Sequence, residues 1–129
     1  MANKVLVVDD EPDAVAFVKE VLESEGYEVI SAPNGVKGLS TMRSQRPDLV
    51  ILDVQMPEMD GFEVFEEMRK DDALKAIPVV MLTGIREKVG MGFSADGMKD
   101  YMGERPQDYV EKPIDPEKLK ETIEKILPA

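Results

Sequence analysis

The chain has 129 residues, enough for one compact domain with a real core and too few for two ordinary ones. Its 27 acidic against 16 basic residues give a formal charge of −11, which disfavours a nucleic-acid partner. With no Cys and no His, disulfides, thiolate or imidazole metal sites and Ser-His chemistry are excluded, and carboxylates are left to carry any reaction.

Short β-branched runs alternate with amphipathic segments, the pattern of an α/β fold with a parallel sheet. Lys4 to Val8 is a continuous apolar run, as in a strand buried on both faces, and it ends in Asp9-Asp10-Glu11-Pro12. Ala14, Phe17, Val18, Val21 and Leu22 then recur at helical spacing up to Gly26. Tyr27 to Ser31 predicts a second strand. Asn34-Gly35 opens a helix to about Ser44, weakened by Gly38 and Ser40-Thr41. Asp48 to Asp53 is the strongest strand, followed by the loop Val54 to Met59 and a helix from about Asp60, its N-cap, to Asp71. Ile77 to Leu82 predicts a fourth strand and Tyr109 to Glu111 a short fifth. Pro116 to Leu127 predicts a last helix with Leu119, Ile123, Ile126 and Leu127 on one face.

Five such units predict a doubly wound five-stranded parallel sheet with helices on both faces, and one domain over residues 1–129. Handedness places the strand C-termini on one edge, where open α/β sheets carry their sites. No stretch approaches the length of a membrane span, and Met1 to Lys4 lacks a signal peptide's apolar region, so a cytoplasmic protein without membrane insertion is expected.

The residues at those strand ends are chemically related. Strand one delivers Asp9 and Asp10, strand three Asp53, strand four Thr83 and strand five Lys112. Converging carboxylates raise one another's proton affinity unless a cation neutralises them, and an all-oxygen ligand set suits Mg²⁺. A Lys and a Thr opposite could hold the oxygens of a phosphoryl group transferred to a carboxylate, for which Asp53 is best placed. Taken singly each has a structural explanation: the aspartates as turn formers or helix caps, Thr83 as a cap, Lys112 as a surface charge. Their conjunction at four strand ends points to one reaction.

The segments Val7-Val8-Asp9-Asp10-Glu11-Pro12, Leu52-Asp53-Val54-Gln55-Met56-Pro57 with Asp60-Gly61, Leu82-Thr83-Gly84 and Asp108-Tyr109-Val110-Glu111-Lys112-Pro113 resemble those of CheY-like response-regulator receiver domains over nearly the whole chain. The resemblance implies a flavodoxin-like sheet of strand order 2-1-3-4-5. It implies Asp53 as phosphoacceptor and Mg²⁺ held by Asp9, Asp10, Asp53 and the backbone carbonyl of Gln55. Thr83 and Lys112 would contact the phosphoryl oxygens, Tyr109 would turn inward on activation, and the Lys112–Pro113 bond would be cis. The expected partners are a sensor histidine kinase or phosphotransfer protein and a downstream target protein, with output through protein contacts. Such a domain assists its own phosphorylation and dephosphorylation without turning over an external substrate.

Two other classes compete. A Mg²⁺-dependent phosphohydrolase with an aspartyl-phosphate intermediate would need a second acid soon after the nucleophile, where Val54-Gln55 stand. A phosphorylation-independent adaptor of the same fold has no need of Asp9, Asp10, Asp53, Thr83 and Lys112 together. The departure from the family is the longer spacing between Thr83 and Lys112, in Ile85 to Gln107. Gly90, Gly92, Gly97 and Gly103 disfavour a regular helix there, and Met91, Met98 and Met102 suit an adaptable surface. A mobile loop from about Gly84 to Phe93 and a short helix from Ala95 to Met102, capped by Ser94, are expected.

Overall fold

The computed structural model describes residues 3–84 and 108–127. Strands β1 (Lys4–Val8), β2 (Glu28–Ala32), β3 (Leu49–Asp53), β4 (Val79–Gly84) and β5 (Asp108–Lys112) form one parallel sheet in the order β2-β1-β3-β4-β5. This is the flavodoxin-like order that the resemblance implies. Helices α1 (Pro12–Glu23), α2 (Gly35–Gln45), α3 (Gly61–Lys70) and α4 (Pro116–Ile126) cover it among the described residues. The helix and loop expected between Ile85 and Gln107 lie outside them.

Strand alternation sorts the apolar side chains into two cores. Leu6, Val8, Val50, Leu52, Val79 and Met81 pack with Leu39 and Met42 of α2 and Val64, Phe65 and Met68 of α3. Val5, Val7, Leu49, Ile51, Val80, Leu82 and Val110 pack with Val18, Val21 and Leu22 of α1 and Leu119 and Ile123 of α4. Burial on both sides explains why β1 and β3 read as unbroken apolar runs rather than alternating ones.

Local chemistry fixes the element ends. Gly26, at φ +94°, closes the α1 turn in the left-handed region that favours glycine. Asn34 caps α2 by accepting from the Lys37 N–H at 2.9 Å. Asp60 and Glu63 form a reciprocal capping box at the start of α3.

Several details differ from expectation, and β4, expected over Ile77 to Leu82, runs from Val79 to Gly84. Phe17 is exposed rather than part of the buried α1 stripe, because the face turned to the sheet runs through Val15, Val18, Val21 and Leu22. β2 begins at Glu28 rather than Tyr27, whose buried ring lies before the strand and whose hydroxyl donates to the Leu127 carbonyl at 2.7 Å. Gly38 serves packing despite its helix cost: a Cβ there would stand 2.9 Å from a Val8 methyl, so its absence lets α2 approach β1 closely.

Candidate functional site

The site lies at the C-terminal edge of the sheet, where β1, β3 and β5 each hand a charged side chain to the same place. Val8 of β1 pairs with Leu52 of β3, so the next rung sets Asp9 beside Asp53. Both are about 2% exposed. Lys112, the last residue of β5, reaches them across the end of β4, its ammonium 3.3 Å from Asp9 Oδ2 and 3.3 Å from Asp53 Oδ1. Its shortest contact is to Glu11 Oε1, at 2.9 Å. The Lys112–Pro113 peptide bond is cis.

Backbone N–H groups fix the two buried acids. Asp9 Oδ1 accepts from Glu11 N at 2.9 Å, and Asp53 Oδ1 from Gln55 N at 3.4 Å. Asp9 Oδ2 is buried and accepts no hydrogen bond, having only the longer ion-pair contact with Lys112. Such an oxygen is costly in a native structure unless something else satisfies it. Asp9, Asp10, Glu11 and Asp53 each present a carboxylate oxygen, and these oxygens lie within 4.8 Å of one another. With the Glu11 oxygen engaged by Lys112, the wholly oxygen set of Asp9, Asp10 and Asp53 fits a hard divalent cation such as Mg²⁺, and the orphaned Asp9 oxygen is the observation that favours one.

The electrostatics follow from crowding and burial. Burial and the neighbouring Asp9 charge push the Asp53 pKa from 3.8 up to about 7, against the opposing pull of Lys112 and the Gln55 N–H. Burial alone would lower the Lys112 pKa, but the Glu11 hydrogen bond and the charges of Asp53 and Asp9 outweigh it and hold the ammonium firmly protonated. The centre is an over-acidic pocket with one cation bridging three of its carboxylates.

Strand parity divides the remaining residues. Asp9, Asp53 and Lys112 continue the parity of the core under α1 and α4. Tyr109 packs on the opposite core, under α2 and α3, and Thr83 shares that parity by alternation from Val79 and Met81. Thr83 is buried at the end of β4, and Met81 is paired with Tyr109 in register, which makes Thr83 and Tyr109 diagonal neighbours on one face. Of the residues singled out in the sequence, Asp9, Asp53 and Lys112 meet directly and Asp10 joins their oxygen cluster. Gln55 is exposed and touches Asp53 through its N–H. Glu11 was not among the expected site residues. Its signal was adjacency to the acid pair, and the ordinary role of a residue before a Pro-initiated helix, a cap, concealed it.

The loop after Asp53 is held against α3. Gly61 N donates to the Val54 carbonyl at 2.9 Å, and a Cβ on Gly61 would stand 2.5 Å from the Asp53 carbonyl oxygen. Only glycine allows the helix start to lie this close behind the acidic residue.

Comparison with known proteins agrees with this geometry. The family model for the response regulator receiver domain matches residues 5–124. The protein PilH of Pseudomonas aeruginosa is 33% identical over 127 residues, spanning 96% of this chain and 97% of PilH. A probable transcriptional regulator, ycf27, of Pyropia yezoensis is 39% identical over 133 residues, but this chain spans only 47% of its length. Several curated relatives that it matches are likewise about twice as long as the matched region. Among solved structures, the chemotaxis protein CheY4 of Vibrio cholerae superposes with a TM-score of 0.83 at 31% identity, covering 98% of this chain and 100% of that one.

Proposed function

We propose, from the premise that this chain belongs to the response regulator receiver domain family, that residues 1–129 act as one receiver domain whose phosphoacceptor is Asp53. Receiver domains of two-component systems are phosphorylation-dependent signalling switches, and they bind Mg²⁺ in an acidic pocket. The observation that carries the assignment is the meeting of buried Asp53, the hydrogen-bond-deficient buried Asp9 and Lys112 at one sheet edge.

In this reading Asp53 attacks the phosphorus of a phosphohistidine on a sensor kinase or phosphotransfer protein. The Asp53 Oδ–P bond forms as the histidine P–N bond breaks, and the imidazole departs on the donor. Oδ1 is occupied by Gln55 N and Lys112, which leaves Oδ2 as the attacking oxygen. Lys112 favours the ionised carboxylate before attack and then stabilises charge on the transferred oxygens. Asp9, Asp10, Asp53 and the Gln55 carbonyl would hold Mg²⁺. When bound, the ion neutralises the carboxylates and the incoming phosphoryl oxygens.

Phosphorylation adds negative charge and acceptor oxygens beside Thr83, whose hydroxyl can donate to them. Thr83 shares a face with Tyr109, and movement of this pair is how the altered edge becomes an altered surface for a downstream target protein. The strongly acidic balance supports a protein rather than a nucleic-acid contact for this domain, and a cytoplasmic location goes with this reading. Among the described residues no helix is long and apolar enough to cross a membrane. The domain assists its own phosphorylation and dephosphorylation without an external substrate.

Intact-mass measurement after incubation with Mg²⁺ and acetyl phosphate tests the assignment. One added phosphoryl group is expected, absent in Asp53→Asn; a label that persists in that variant rejects Asp53.

A further inference from the structure

Glu11 occupies the N-cap of α1, a position where Ser, Thr, Asp or Asn would accept a hydrogen bond from the first helical turn. Its backbone has the extended geometry of a cap, yet its side chain makes no capping bond. The carboxylate turns away from its own helix and takes the shortest contact that Lys112 makes. A local rule set aside at a site edge points to a role elsewhere.

Lys112 shows what that role is. An ammonium has three donors, and three carboxylates surround this one: Glu11, Asp9 and Asp53. Glu11 takes the 2.9 Å hydrogen bond, whereas Asp9 and Asp53 stand farther off as ion pairs at 3.3 Å, so Glu11 is the acceptor with which a phosphoryl oxygen on Asp53 competes most directly. Asp9 and Asp53 are buried and pinned by backbone N–H groups. The Glu11 side chain is 64% exposed and can return to water at little cost.

We propose that Glu11 is a positioning residue that holds Lys112 in the resting pocket and competes with phosphoryl oxygens for its ammonium. Resting on the function proposed above, this adds a control on it. The strength of the Glu11–Lys112 contact sets how readily the pocket accepts the group, and Glu11 moves into solvent as the group arrives.

The test uses the full chain and beryllofluoride, a phosphoryl mimic, titrated calorimetrically at saturating Mg²⁺, with Mg²⁺ alone titrated separately. Glu11→Gln removes the charge, whereas Glu11→Asp keeps the charge but is one methylene too short for the contact. Both variants are expected to bind beryllofluoride roughly two- to fivefold more tightly than wild type, the scale of an exposed ion pair. Only Asp gains a helix cap, so tightening shared by both variants tracks the lost contact rather than a firmer α1. Affinity for Mg²⁺ alone should change by less than about threefold, since the proposal gives Glu11 no ligand role. Wild-type affinity in both variants overturns the proposal. So does tightening in Gln alone, which would make Glu11 a source of field rather than a contact, and so does a tenfold loss of Mg²⁺ affinity in Gln, which would make it a metal ligand. Beryllofluoride binding that survives Asp53→Asn, or fails in wild type, would instead overturn the assignment of Asp53.

Discussion

Asp53→Asn is expected to stabilise the metal-free protein above neutral pH, although it destroys the proposed acceptor. Unfolded, the carboxyl ionises near 3.8, while burial and Asp9 raise it to about 7 when folded. A raised acid is neutral in both states below about pH 4 and contributes its full stability there. Between about pH 4 and 7 the unfolded chain gives up the proton that the folded chain retains, so stability falls through that window and stays low above it. At about 1.4 kcal/mol per pKa unit the span corresponds to about 4 kcal/mol. Asp9 and Lys112 readjust when the charge leaves, and half of that, about 2 kcal/mol, is the expected gain, or about 8 °C in Tm for a domain of this size. Thermal unfolding of wild type and variant in EDTA from pH 4 to 8 measures it. The two curves should coincide near pH 4 and diverge towards pH 7, and added Mg²⁺ should narrow the gap by binding wild type more tightly than the variant. Equal stability at pH 8, or a gain that does not vary with pH, would refute the argument from a strained carboxylate.

Other substitutions probe the supports of the site. Gly61→Ala should cost about 1–3 kcal/mol by overpacking and slow phosphorylation by acetyl phosphate, because the new methyl meets the Asp53 carbonyl rather than a yielding side chain; denaturant melts and labelling rates report both. Asp60→Ala removes the side chain that accepts from Glu63 N and should cost about 1 kcal/mol in denaturant unfolding. Arg46 ends α2 at φ +48° immediately before Pro47, so Arg46→Gly should raise stability by about 1 kcal/mol; a loss in the same melt would mean that the guanidinium matters more than the backbone.

Strand identity was legible because buried parallel strands write themselves as apolar runs: Lys4–Val8 is bounded as read, and β3 differs by a single residue. The strand ends also announced Asp9, Asp53 and Lys112, since a parallel sheet puts all C-termini on one edge. Side-chain direction was less accessible. The spacing of Phe17 fits an apolar stripe, yet the α1 face that meets the sheet is rotated past it. Gly38 looked like a weak point because its partner, Val8, is distant in sequence. Glu11 was hidden for a related reason, since a carboxylate at a helix start can cap that helix or reach β5, 101 residues on, and only the folded arrangement chooses.

The pairing of β5 has a consequence for folding accuracy. In the native register Gly84 stands opposite Lys112 and Thr83 opposite Glu111. A slip of one residue would turn every β5 side chain to the other face. Val110 would leave the core under α1 and α4, Tyr109 would enter it, and Glu111 would be driven towards Asp9, Asp10, Glu11 and Asp53 in place of the ammonium. A fifth carboxylate among four is strongly unfavourable where one cation had bridged three of them. Misalignment of this short edge strand therefore meets a penalty from charge as well as from packing, and the pocket proofreads the sheet that builds it.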